Sequence, residues 1–238
     1  MNLFEKLPLQ DFDLGAPSSH VLVFVSKVGQ HVGYIYVRDD KKMESEPSKY
    51  RGRTFHLGSE IHTEDIDPGK SQRIYLAATL GLHPDTALAF AGYLKAFDDN
   101  KPRVRFGIDW ANARGSFGHD KSFREGSNHT CATLVVDLLE GFGLPSVDFD
   151  TWPKDVDEDR KWAEGRLDYY EGQLAKLGAE APLDQAGIDA MRKVSPVMRL
   201  KPTEAAAALA SAQPALMQHE AATQLAAQVL ASFVKAFS

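Results

Sequence analysis

Two apolar runs separated by a short turn constrain this fold more than any other feature of the sequence. Residues 20–26 (HVLVFVS) and 31–38 (HVGYIYVR) are rich in β-branched and aromatic side chains, and Gly29 and Gln30 lie between them. Such runs favour strands, and a short turn between two of them favours an antiparallel hairpin. The sequence therefore predicts that a hairpin starts an antiparallel sheet.

The rest of the chain predicts further strands, then helices. Strands are expected over residues 53–57, 73–78 and 104–108, and helices over residues 85–98 (capped by Asp85), 131–142, 154–177 and 183–194. Irregular segments are expected over residues 1–19, 39–49, 58–69 and 107–128. The Ala-rich C-terminal stretch is predicted to be helical from Thr203, with an interruption at Pro214. These patterns predict an α+β fold, with a first domain over 1–150 and a helical extension over 151–238.

Composition excludes several classes of function. A net charge of −6 argues against a nucleic-acid partner, because phosphate contacts need clustered Lys and Arg. One cysteine excludes an internal disulfide and a cysteine-rich zinc site. No run approaches about 18 apolar residues, so no stable membrane insertion is expected. The first ten residues do not resemble a Sec signal, so we expect synthesis in the cytoplasm and, if the protein is exported, a signal-independent route.

The single cysteine, Cys131, lies where a polar loop meets an apolar helical pattern. A thiol in the first turn of a helix faces unpaired N–H groups and the positive end of the helix dipole, and both lower its pKa. This position predicts a nucleophile. The alternative is a small buried apolar side chain at the start of a helix.

Two strand histidines are candidates to serve such a nucleophile. His31 begins the second strand of the hairpin, on the face of Gly33, which leaves space beside the imidazole. His56 lies in the next strand, so His31 is predicted to be the base and His56 its orienting group. The alternatives are a solvent-facing His31 at a hairpin corner and a satisfied structural His56.

Other polar residues near these positions have weaker assignments. Asn128 is expected to position the loop or cap the helix, and His129 to approach the thiol or to face solvent. His119 and Asp120 are candidates to line the site. A metal site formed by His56, His62 and Glu60 or Glu64 matches no strict ligand spacing, so neither a metal nor a cofactor is predicted.

The order His31, His56, Cys131 resembles the circularly permuted branch of the NlpC/P60 (papain-like) cysteine hydrolases, which includes lecithin–retinol acyltransferase-like and PPPDE-type enzymes. The matching segments are residues 31–37 (HVGYIYV), 55–57 (FHL) and 128–135 (NHTCATLV). The resemblance covers residues 20–145 at most. It departs from the family pattern because His129 and Thr130 separate Asn128 from the cysteine.

The resemblance implies a papain-like sheet packed on the helix that carries the nucleophile. It implies that Cys131 attacks an amide carbonyl, that His31 moves the proton and that His56 orients His31. Peptidoglycan is the substrate expected first, followed by other peptides. The chain is also similar to antibacterial toxins exported by contact-dependent machines, whose partners would be an immunity protein and a component of the secretion machine. The alternatives are a lipid acyl hydrolase or acyltransferase on the same fold, and a binding module without catalysis.

Overall fold

The computed structural model describes residues 5–8, 20–26, 30–37, 52–58, 60–66, 74–211 and 216–237. As predicted, it is an α+β structure in which an antiparallel sheet packs against helices. The strands are β1 (Glu5–Pro8), β2 (Val21–Ser26), β3 (His31–Tyr36), β4 (Arg53–Leu57), β5 (Ile61–Asp65), β6 (Ile74–Thr79), β7 (Arg105–Phe106) and β8 (Asn128–His129). The helices are α1 (Pro84–Asn100), α2 (Trp110–Ala113), α3 (Cys131–Gly141), α4 (Asp157–Leu177), α5 (Gln185–Arg192), α6 (Pro202–Ala210) and α7 (His219–Phe237).

The main sheet has the order β1-β6-β2-β3-β4-β5, and every neighbouring pair is antiparallel. The predicted hairpin is confirmed, because β2 pairs with β3 and places Ser26 opposite His31. The short strands β7 and β8 form a separate parallel pair. The central strands therefore hold His31 at the end of a well-paired part of the sheet.

Two segments predicted to be irregular contain strands. Part of the predicted lead-in is β1, which pairs with β6, and part of the loop predicted over residues 58–69 is the edge strand β5. The predicted loop over residues 107–128 also contains the short helix α2. The charged segment 39–49 and Pro214 lie outside the described residues.

The two faces of β3 have different neighbours. Val32, Tyr34 and Tyr36 are buried in the main core together with side chains of α1, α3 and α6. Ile35 belongs to a smaller apolar cluster on the opposite face, with Phe24 of β2. The predicted alternation is therefore confirmed, since Ile35 lies on the face that it shares with His31 and Gly33.

The helix α3 is fixed to the sheet and begins at a defined cap. The hydroxyl of Tyr34 donates to the backbone carbonyl of Val135 over 2.6 Å in the buried core. Thr130 is the N-cap, and it exchanges reciprocal hydrogen bonds with Thr133: each side-chain oxygen accepts from the other's backbone N–H, at 3.1 and 2.8 Å. Cys131 therefore lies at the first position of a helix whose start is set by local hydrogen bonds.

The first long helix is capped by a different residue from the one predicted. Asp85 lies inside the first turn of α1, and the cap is His83, whose Nδ1 accepts from the Asp85 backbone N–H over 3.4 Å. The proline at the first helical position explains the shift, because its fixed φ suits the start of a helix.

The helices that follow residue 150 divide between two cores. The helix α6 is buried along its length in the main core, where it packs against α3, β2 and β3. The helices α4 and α5 surround a second cluster, which contains Ile108, Tyr170 and Ile188. No helix in the described part of the chain is long and apolar enough to cross a membrane.

Candidate active site

The two predicted strand histidines are in direct contact. Nε2 of His31 lies 2.9 Å from Nδ1 of His56, and the two rings are perpendicular with centroids 4.7 Å apart. One ring donates and the other accepts, because a neutral imidazole carries one N–H and one bare nitrogen. The pairing follows from the sheet, since the register places His56 opposite Gly33, two residues after His31 on the same face.

Gly33 makes the space in which the two histidines meet. A Cβ at this position would lie 2.7 Å from Cβ of His56 and 2.7 Å from the ring of Phe24. Carbon atoms in ordinary contact are about 3.5–4.0 Å apart, so no larger residue fits without movement of the strands. The sequence-based expectation that Gly33 leaves room beside His31 agrees with this geometry.

The thiol of Cys131 lies next to the backbone of the same strand. The backbone N–H of Val32, the residue after His31, lies near enough to the sulfur to favour its thiolate form. Cys131 and His31 both line one pocket of about 470 Å³ at the start of α3. Cys131 and His31 therefore border one cavity, while the His31 imidazole lies with His56 on the face of β3 opposite the face that packs against α3.

The pKa of the Cys131 thiol is raised, so the prediction that it is lowered is wrong. Burial raises the pKa of Cys131, although the residue is only half-buried by surface area. The N–H groups of Val32, Ala132 and Cys131 itself, and the charge of Arg166, act in the opposite direction but do not offset the loss of solvent. At neutral pH the resting side chain is therefore a thiol and not a thiolate.

The walls of this pocket come in large part from residues after 150, which the sequence did not connect with Cys131. The helix α4 contributes Trp162 and Arg166, and α7 contributes Leu230. Arg199 and Lys201, which precede α6, complete this side of the pocket. No local motif marks these residues, because only the packing of the C-terminal helices places them beside α3.

His129 neither approaches the thiol nor faces solvent. It is fully buried, and its Nε2 lies 2.8 Å from the hydroxyl of Ser116, which donates to Asp137 over 2.9 Å. Burial, together with the charge of Arg124, lowers the pKa of His129 to about 3, so its imidazole is neutral. His129 therefore belongs to a buried polar network behind α3, and its predicted role near the thiol is a misassignment.

The remaining weaker candidates also lie away from the thiol. Asn128 is in β8 opposite Arg105 and lines a separate pocket of about 490 Å³, while the cap of α3 is Thr130. His119 is exposed and bonds to the carbonyl of Phe142 over 3.1 Å. His56 stacks on His62 at 5.7 Å, but across the described ranges no group of three His, Cys, Asp or Glu side chains is placed to hold a metal ion.

Comparison with family models, with curated proteins and with solved structures found no match for this chain. The fold class and the side chains at the pocket are thus the basis for a functional assignment. They define an α+β protein in which a helix-start cysteine and a strand histidine line one cavity, and that histidine contacts a second one on the next strand.

Proposed function

We propose that this protein is a cysteine hydrolase of the permuted papain-like type that cleaves an amide bond, with Cys131 as nucleophile, His31 as base and His56 as the group that orients His31. The observation that carries the proposal is the 2.9 Å contact between Nε2 of His31 and Nδ1 of His56 beside the pocket of Cys131. A nucleophile, a base and an orienting group in this order are the elements of a thiol hydrolase.

The proposed mechanism assigns one proton position to each histidine. His31 carries its proton on Nε2 and donates it to Nδ1 of His56, which leaves Nδ1 of His31 as the base. The mechanism requires the imidazole of His31, at the first residue of β3, to turn toward the start of α3. There it takes the proton of Cys131, which burial keeps protonated, as the sulfur attacks the carbonyl carbon. The imidazolium that forms keeps its hydrogen bond to His56, which stabilises the positive charge.

The start of α3 supplies donors for the negative charge on the substrate oxygen. The N–H of Thr133 is already bonded to the cap, whereas those of Cys131 and Ala132 are directed at the region of the sulfur. They form the proposed oxyanion site, and one such donor typically contributes about a hundredfold to a thousandfold in rate. His31 then returns its proton to the leaving amine, and a water activated by His31 hydrolyses the thioester.

The pocket favours a peptide over a lipid as the substrate. Its lining alternates apolar side chains such as Trp162 with charged ones such as Arg166 and Lys201. A site for a long acyl chain is expected to be lined mostly by apolar groups. Peptidoglycan peptides are therefore the first substrates to test, and an antibacterial role of an exported enzyme would follow from their cleavage.

The test is a substrate panel scored by mass spectrometry. Purified protein is incubated with peptidoglycan and with phospholipid vesicles, and products are compared with those of Cys131→Ser and His31→Gln. We expect the wild-type protein to cleave the peptide. Cys131→Ser and His31→Gln should abolish cleavage while circular dichroism shows the native fold. The control His83→Gln, on the surface at the start of α1, should retain cleavage. Cleavage by Cys131→Ser, or lack of any product from wild-type protein, would contradict the proposal. Release of fatty acid from the vesicles would show that the bond cleaved is an ester and not an amide.

A further inference from the structure

The lining of the Cys131 pocket contains three cationic side chains in a protein whose net charge is −6. Arg166, Arg199 and Lys201 line it, and the described residues of the lining include no Asp or Glu. All three cations come from the region after residue 150. A positive pocket in an acidic protein favours entry of an anionic ligand, because cleft walls concentrate the local field.

One acidic residue outside the pocket, Glu158, contacts two of these cations. Lys201 lies 3.2 Å from Glu158, and Arg199 lies 3.8 Å from the same carboxylate. The guanidinium of Arg199 also lies over the ring of Trp162, with 4.6 Å to its centroid. Asp159 and Glu204 also act on the charge of Arg199, so the carboxylates near Arg199 and Lys201 lie behind the cationic side chains that line the pocket.

The two guanidinium groups of the pocket repel each other. Burial lowers the pKa of Arg199, the charges of Asp159, Glu158 and Glu204 act against this lowering, and the charge of Arg166 adds a smaller contribution to it. Arg166 is exposed, and its charge also acts on the sulfur of Cys131. An anion between Arg166 and Arg199 would relieve this repulsion at a site adjacent to the thiol.

We propose that the substrate carries a carboxylate next to the scissile amide and that Arg166 and Arg199 bind this carboxylate. The inference rests on the proposed hydrolase function and adds a substrate class to it. A planar guanidinium matches a carboxylate with two parallel hydrogen bonds, which fixes the orientation of the bound group as well as its charge. Binding of this carboxylate would thus place the adjacent scissile amide of the peptide next to Cys131.

The first test measures charge selectivity at the thiol itself. Iodoacetate and iodoacetamide alkylate the same thiolate and differ in charge, and Cys131 is the only cysteine in the chain. Substitution of Arg166 also changes the fraction of Cys131 that is thiolate. This fraction affects both rates equally, so it cancels in the ratio of the iodoacetate rate to the iodoacetamide rate. At low salt we expect the ratio to exceed that of N-acetylcysteine amide by about tenfold, the low end of electrostatic effects on association.

The substitutions assign this ratio to the two arginines. Arg166→Gln, at an exposed position that is expected to fold, should lower the ratio toward the reference value, and Arg199→Gln should do the same. Arg160→Gln is the matched control, because this exposed arginine lies on the same helix but outside the pocket. Added salt should also lower the wild-type ratio. A wild-type ratio equal to the reference, or one that Arg166→Gln leaves unchanged, would overturn the proposal.

Protection from alkylation distinguishes a carboxylate from a phosphate. N-acetylglutamate should slow the reaction of iodoacetamide with Cys131 at lower concentrations than inorganic phosphate, and N-acetylglutamine should not protect. Better protection by phosphate would reject the carboxylate. If the alkylation ratio depends on the arginines but no substrate is turned over by Cys131, the hydrolase function is rejected, and the substrate assignment with it. If substrate is turned over but the alkylation ratio equals that of the reference thiol, only the anion site is rejected.

Discussion

The contact between His31 and His56 depends on the absence of a side chain at Gly33. An added methyl group would lie 2.7 Å from Cβ of His56 and from two ring carbons of Phe24. Phe24 is 1% exposed and fills the apolar cluster on this face of the sheet, so its ring has no free volume to enter. Cβ of His56 is attached directly to β4 and moves only if that strand moves.

The expected cost of Gly33→Ala follows from these distances. Each of the three contacts is shorter than ordinary carbon contacts by about 1 Å, so β4 and the ring of Phe24 must shift by a similar amount. Overpacking of this kind costs about 1–3 kcal/mol of stability. For a chain of this size each kcal/mol lowers the melting temperature by about 2–4 °C. The same shift lengthens the 2.9 Å contact between His31 and His56.

Thermal unfolding followed by circular dichroism, together with the peptide cleavage assay, measures both effects. Gly33→Ala should lower the melting temperature and reduce the cleavage rate at temperatures where the protein is still folded. Gly92→Ala is the matched control, because a Cβ there meets no atom within 4 Å and lies in the interior of α1. This control should stabilise the protein by about 0.5–1 kcal/mol. A Gly33→Ala protein with wild-type stability and wild-type activity would refute the role assigned to this glycine.

Three other perturbations have defined outcomes. Alkylation of Cys131 by iodoacetamide should rise with pH around a midpoint above that of an unperturbed cysteine, because burial raises its pKa; a midpoint near neutrality would contradict this. Stability should fall as pH drops below about 6.5, because unfolding lets His129, whose folded pKa is about 3, take up a proton. This loss is about 2 kcal/mol at pH 5. Burial raises the pKa of Asp137, so this residue makes the protein more stable as the pH falls and opposes the effect of His129. Urea unfolding at pH 7.5 and 5 is therefore compared between the wild-type protein and His129→Gln, which should lack the loss of stability due to His129. Tyr34→Phe should cost about 1–2 kcal/mol in the same unfolding assay, because it removes a buried hydrogen bond to α3, whereas exposed Tyr169→Phe should cost nothing measurable.

The parts of the fold that the sequence predicted are those in which local pattern and burial agree. The strands β2 and β3 are buried almost throughout and are rich in β-branched residues, so their apolar character is visible in the sequence. The missed strand β5 has the sequence IHTED and lies at the edge of the sheet, where it is largely exposed. An edge strand needs few apolar side chains, so its pairing depends on its neighbour and leaves little trace in its own sequence.

The candidate site divides in the same way. The positions of Cys131, His31 and Gly33 follow from a helix start and from alternation along one strand, which are local properties. The burial that reverses the expected pKa of the thiol is a property of the whole pocket, and no pattern around residue 131 reports it. The same holds for Arg166 and Arg199, which reach the pocket only through the packing of the segments that follow residue 150.

These non-local features are connected by charge. Under the proposed mechanism, proton transfer from Cys131 to His31 creates a thiolate and an imidazolium within a pocket that already contains Arg166. The arginine favours the thiolate but disfavours the imidazolium, so in the empty pocket its two effects oppose each other. A carboxylate bound by Arg166 and Arg199 would reduce the net positive charge and lower the cost of the imidazolium. Because the same carboxylate would disfavour the thiolate, binding of an anionic substrate favours proton transfer only if the carboxylate lies closer to His31 than to the sulfur.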